Sequence, residues 1–212
     1  DRRGRVWIGT VNGICMYDGD TFHTFPDVEY LRGQPVRSIL QSSDGRIWFG
    51  ANTGLTVFDG SAWNNISIES GLVDDNVLAI YEDDSGTLWI GTRGGLSRFR
   101  NGEFTGYTVT DGLGSNIVRS IVQSGSDYYI GTSRGIDRFD GESAFRHYDS
   151  RTGMSASGVT TESSIVSRDG LIYVGTERGI TTIDPTRRHT TSHPPPVYIN
   201  RVTIAGTDSM LA

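Results

Sequence analysis

An all-β fold of repeated four-stranded antiparallel sheets is predicted by three features of this 212-residue sequence. Glycine supplies 28 residues and aromatics 10%, while hydrophobic residues reach only 35%, a mixture suited to short strands and tight turns. The string Gly-Thr-x-x-Gly-Ile/Leu recurs at Gly9–Ile14, Gly91–Leu96, Gly131–Ile136 and Gly175–Ile180, with a variant carrying Ala51 at Gly50–Leu55. Its first glycines lie 41, 41, 40 and 44 residues apart. No window of about 11 or more residues carries the 3.6-residue apolar period of a helix.

The flanks of the motif repeat as well. Two residues before each first glycine stands a large aromatic: Trp7, Trp48, Trp89, Tyr129 or Tyr173. After it come Tyr17-Asp18-Gly19, Phe58-Asp59-Gly60, Phe99-Arg100-Asn101-Gly102 and Phe139-Asp140-Gly141. In the second copy, Val36–Gln41 reads as a first strand and Ile47–Ala51 as a second, joined at Ser43-Asp44-Gly45. Leu55–Phe58 is a third strand and Trp63–Ser67 a fourth, with Asp59-Gly60 supplying the positive φ of a tight hairpin. One such meander of about 40 residues cannot bury both faces. Stacking the units about an axis does, and the result is a β-propeller whose repeated aromatics wedge neighbouring blades apart.

The register sets the boundaries. Blades are expected around residues 1–30, 31–70, 71–110, 111–152 and 153–190. The first begins at its second strand, and the last ends after its third, at Pro185. The chain therefore reads as part of a larger propeller, with an open edge at each end.

Charge and composition exclude several activities. The 25 acids against 19 bases leave a net charge of −6, which disfavours nucleic-acid binding. Every base is Arg; without Lys the chain has neither a Schiff-base amine nor the lysine of a phosphate loop. Cys15, alone, makes no internal disulfide and no multi-cysteine metal site. No apolar run reaches the roughly 20 residues of a membrane-spanning helix. The start at Asp1, with no Met or signal peptide, reads as that of an excised piece.

The repeat resembles the two-component regulator propeller repeat. Gly112–Asn116 with Val118-Arg119-Ser120-Ile121 matches its first half, and Gly86-Thr87-Leu88-Trp89-Ile90-Gly91-Thr92 its second, over about residues 4–185. Asp184-Pro185 and Pro194-Pro195-Pro196-Val197-Tyr198-Ile199-Asn200-Arg201-Val202 resemble the opening of the Ig-like Y_Y_Y domain that follows such propellers, so residues 191–212 are expected to hold a linker and its first strand, Val197–Ala205. The resemblance implies the periplasmic or extracellular sensor of a bacterial inner-membrane regulator. It implies a small-molecule or oligosaccharide ligand, a membrane tether and a histidine kinase or other output elsewhere in the full-length protein, and an arrangement compatible with a homodimer. It implies no cofactor and no catalysis in this segment. The competing readings are a lyase or hydrolase of the streptogramin-lyase type and a protein-interaction propeller.

A meander places the turns between second and third strands on one rim, beside the loops that join blades. The candidate ligand residues there are Asn12, Asn52, Arg93, Arg134 and Arg178 on the turns, with Asn76 and Asn116 on the joining loops. Arg37 and Arg119 begin inner strands near the channel. Guanidinium forks match carboxylate and sulfate oxygens, so Arg93, Arg134 and Arg178 suit an acidic sugar.

Other motifs are set aside. Gly131-Thr132-Ser133-Arg134-Gly135 fits G-x-S-x-G but lacks a strand-turn-helix setting. His23 and His147 fall on outer strands, and His189 and His193 precede a proline run. Asp83-Asp84 lacks a full calcium-loop pattern, and Asp74-Asp75 gives no acid/base geometry. No metal site is expected.

Overall fold

The computed structural model describes residues 1–152, 154 and 158–186, together with two short strands at 202–204 and 207–209. Blade one holds β1 (Val6–Thr10), β2 (Gly13–Tyr17) and β3 (Phe22–Thr24). Blade two holds β4 (Ser38–Gln41), β5 (Ile47–Ala51), β6 (Gly54–Phe58) and β7 (Trp63–Ile66). Blade three holds β8 (Val77–Glu82), β9 (Leu88–Thr92), β10 (Leu96–Arg100) and β11 (Glu103–Tyr107). Blade four holds β12 (Val118–Ser124), β13 (Asp127–Thr132), β14 (Gly135–Phe139) and β15 (Phe145–Tyr148). Blade five holds β16 (Val159–Val166), β17 (Ile172–Thr176) and β18 (Gly179–Ile183).

Each blade is an antiparallel meander in chain order, and β4, β8, β12 and β16 run beside one another as inner strands. The fold is thus the all-β propeller expected, with three strands in the first and last blades. The second copy's strands begin and end within two residues of their expected positions. β19 (Val202–Ile204) and β20 (Thr207–Ser209) pair as a hairpin, the first of them inside the expected Val197–Ala205 strand. Residues 187–201, with His189, His193 and the proline run, lie outside the described residues.

Cores form between blades, because each sheet has two faces and almost no thickness of its own. Trp48 is 1% exposed and lies with Val77, Ile80, Leu88 and Ile90 of the following blade. Trp89 does the same with Leu113, Val118, Tyr128, Ile130 and Phe139, and Tyr129 with Val159, Ile172 and Val174. Trp7, half-buried, meets Phe49, Phe58 and Trp63. Tyr173 on the last blade is only half-buried.

The motif glycine explains how blades come so close. A Cβ on Gly50, Gly91 or Gly131 would stand 2.6, 2.7 or 2.6 Å from a methyl of Val77, Val118 or Val159 on the next inner strand. Gly91→Ala is therefore expected to cost about 1–3 kcal/mol through overpacking. A thermal melt within error of the parent would mean that the blades part freely at this seam.

A second repeated device was not read from the sequence. The residue six positions before the wedge tryptophan accepts its indole N–H: Asp1 for Trp7, Ser42 for Trp48 and Asp83 for Trp89, each at 2.9 Å. Asp83 also accepts from the Tyr128 hydroxyl at 2.7 Å, so it ties blade three to blade four. With its remaining contacts on Ser85 and Thr87, the carboxylate serves its own turn and the wedge.

Candidate functional site

The joining loops build the rim. After blades two and three the chain makes one turn of 3-10 helix, at Ile68–Ser70 and Val109–Asp111, capped by Ser67 and Thr108. Gly71 and Gly112 close these turns with φ of 102° and 105°, which a side chain would resist. Asp75 Oδ1 then accepts the Ile68 N–H, and 41 residues later Asn116 Oδ1 accepts that of Val109, both at 2.8 Å.

The turns between second and third strands close onto these loops. The Gly54 N–H donates to Asp75 O, Arg93 N–H to Asn76 O, Ser133 N–H to Ile117 O and Glu177 N–H to Gly158 O. Turns and loops therefore share one rim, as the meander requires.

The candidate residues separate into two groups by what already binds them. Arg37 donates to Asn52 Oδ1 at 2.6 Å. Arg119 donates to Val159 O at 2.8 Å and lies 3.9 Å from Glu177. Asn116 is engaged by its own loop, and Asn76 Oδ1 is buried without a hydrogen-bond partner among the described residues. The second group stays open. Arg93, Arg134, Arg178 and Asn12 are exposed, and their side chains have no partner among the described residues, although their backbone N–H groups are bonded. The nearby acids each serve their loop through one oxygen: Asp74 Oδ1 accepts the Asn76 N–H, and Asp75 Oδ1 that of Ile68.

One aspartate–histidine pair beneath this rim escaped sequence reasoning. Asp137 on β14 is fully buried and accepts from the Gly114 N–H at 2.9 Å, with His147 Nδ1 at 2.8 Å from its other oxygen. Burial raises the Asp137 carboxyl above the usual carboxylate range, while the Gly114 and His147 hydrogen bonds pull against it. The imidazole's Nε2 lies 3.9 Å from Asp149, whose carboxyl the Arg151 guanidinium holds below its ordinary value. The register pairs Cys15 with Thr24, Thr56 with Asn65 and Ser97 with Gly106 at the corresponding positions. Two ionisable residues facing each other at that one place were the available signal.

The set-aside motifs land as follows. Ser133 Oγ shares a hydrogen bond of 2.7 Å with Ser115 Oγ and sits on a strand-to-strand turn. His23 lies on β3 and His147 on β15, both outer strands. Among the described residues no three metal-ligating side chains gather.

Residues 30–53 and 71–94 match the model of the two component regulator propeller. No curated protein matches by sequence. Among solved structures, the chain is 25% identical to the extracellular domain of the hybrid two component system BT3049 from B. thetaiotaomicron, with a TM-score of 0.82, covering 98% of this chain and 30% of that one. It is 19% identical to the extracellular domain of the one component system BT4673 from B. thetaiotaomicron (TM-score 0.68, 87% of this chain, 29% of that one). It is 20% identical to virginiamycin B lyase from Staphylococcus aureus (TM-score 0.61, 88% of this chain, 68% of that one). The latter two share the fold. The chain spans less than a third of the two extracellular domains.

Proposed function

We propose that this chain, which carries two-component regulator propeller repeats, is an extracytoplasmic ligand-binding sensor whose rim holds an acidic oligosaccharide. The observation that carries the reading is the rim's charge. Arg93, Arg134 and Arg178 are exposed without partners among the described residues in a chain of net charge −6, while neighbouring carboxylates each serve their loop through one oxygen. A guanidinium left in water without a partner is free to take a carboxylate or sulfate as a two-pronged pair. Ligand binding passes a signal only if it favours one packing of the blades or of the tethered domains over another.

The double variant Arg93→Ala with Arg134→Ala is expected to weaken binding of an acidic oligosaccharide such as a glycosaminoglycan fragment about tenfold or more, from the loss of charge-assisted hydrogen bonds. Its melting temperature should match the parent's, since neither side chain supports the fold. Unchanged affinity by titration calorimetry would discard the rim site. For the lyase alternative, turnover of a glycan or lactone panel by the purified chain, abolished by a point variant, would replace the sensor reading.

A further inference from the structure

The opposite rim, where the hairpin turns lie, carries a cleft between blades two and three of about 420 Å³. That volume lies within the usual range for small-molecule sites. One wall is the β4–β5 turn with Asp44 and Arg46, and the other is the end of β10 with its hairpin turn, Arg100 to Gly102. Phe99 and Leu88 supply apolar surface between them.

The repeat departs from itself at this cleft. The hairpin position after the third strand is Asp18, Asp59 and Asp140 in the other copies, and each aspartate accepts backbone N–H groups of its own turn. Blade three places Arg100 there as the last residue of its third strand, opposite Glu103, and turns instead at Asn101-Gly102, with Asn101 at a φ of 53°. The substitution turns a carboxylate into a guanidinium and frees it from the turn. Arg100 is exposed and makes no hydrogen bond or ion pair among the described residues, although Glu103 faces it in register. Across the cleft Arg46 is fixed: its Nε donates to Asp44 at 2.7 Å and its guanidinium lies 5.1 Å from the Trp48 ring centre. An unpartnered cation therefore lies across the cleft from a fixed one, and the carboxylates lining the same cleft are engaged, Glu82 by Ser43 and Asp44 by Ser42 and Arg46.

We infer that this cleft is a second ligand site, for a small hydroxylated molecule bearing one oxyanion group, carboxylate or phosphate, held chiefly by Arg100. The Asn101-Gly102 turn closes this hairpin without a capping aspartate, which leaves position 100 open to carry a cation at the cleft. Specificity against neutral analogues follows from the guanidinium, and against larger ligands from the cleft's walls.

Titration of the purified chain with glucuronate, glucose 6-phosphate and glucose tests this. Saturable binding of either anion well above that of glucose is expected, and the preferred anion identifies the oxyanion. Arg100→Asp, which restores the residue of the other three hairpins, is expected to lower that affinity about tenfold or more while Arg100→Lys retains part of it. The melting temperature of Arg100→Asp should stay at the parent's value. Equal binding of glucose, or an Arg100→Asp affinity within about twofold of the parent, overturns the site. An affinity that follows Arg93 and Arg134 instead of Arg100 also overturns it, and leaves the opposite rim's reading standing.

Discussion

Trp48→Ala is expected to destabilise the chain by about 3–5 kcal/mol, the range for truncating a large buried aromatic. The side chain is 1% exposed and fills the seam between blades two and three, against Val77, Ile80, Leu88 and Ile90. The space left behind cannot collapse easily, because both walls are hydrogen-bonded sheets whose strands are fixed in register. The substitution also removes the indole N–H that donates to Ser42. Trp48→Phe keeps most of the apolar volume and should cost less. Denaturant titration followed by circular dichroism checks both, and a neutral Trp48→Ala would refute the wedge.

Asp83→Ala is expected to cost a comparable amount, about 3–5 kcal/mol, since each buried donor left without an acceptor costs about 1–3 kcal/mol. The carboxylate is 6% exposed and accepts from Trp89 Nε1, the Tyr128 hydroxyl and the Thr87 N–H. Burial raises the Asp83 carboxyl, but hydrogen bonds from Ser85, Trp89, Tyr128 and Thr87 outweigh it and hold the group below its ordinary value of 3.8. Burial and the bond to Asp83 push the Tyr128 phenol up to about 12, so it remains a donor at every working pH. A carboxyl that ionises more readily when folded stabilises above its unfolded pKa, and that contribution is lost as pH falls through the folded value. The stability gap between parent and Asp83→Asn should therefore be constant above about pH 4 and narrow as the pH drops below it. A gap that widens toward acid pH would contradict the arrangement.

Local grammar made most of the fold legible. Asp-Gly pairs mark hairpins because only a few residues tolerate positive φ, and a strand of five residues needs no distant partner to be recognised. The motif glycine was legible as a repeat, though its reason, the valine methyl of the next blade, was not. The tie from Trp to the residue six places earlier was also present in the spacing, at Asp1, Ser42 and Asp83, but hidden because an aspartate before a glycine turn reads as turn chemistry. The Asp137–His147 pair was hidden differently. The sequence shows His147 only as an outer-strand residue, and only the pairing of β14 with β15 sets it beside Asp137.

The same division runs through the candidate ligand residues. Turn and loop positions were assignable from the chain alone, because a meander obliges alternate turns to share a rim. Which of their side chains are open to a ligand was not. Arg37 and Arg119 are taken by Asn52 and Val159, 15 and 40 residues away, while Arg93, Arg134 and Arg178 find no partner among the described residues. The sequence by itself determined the units, their strands and the wedge, all of which depend on a few adjacent residues. Only the tertiary structure decided which charges are satisfied, because a hydrogen bond forms or fails over tenths of an ångström between groups that the chain brings together from different strands and neighbouring blades.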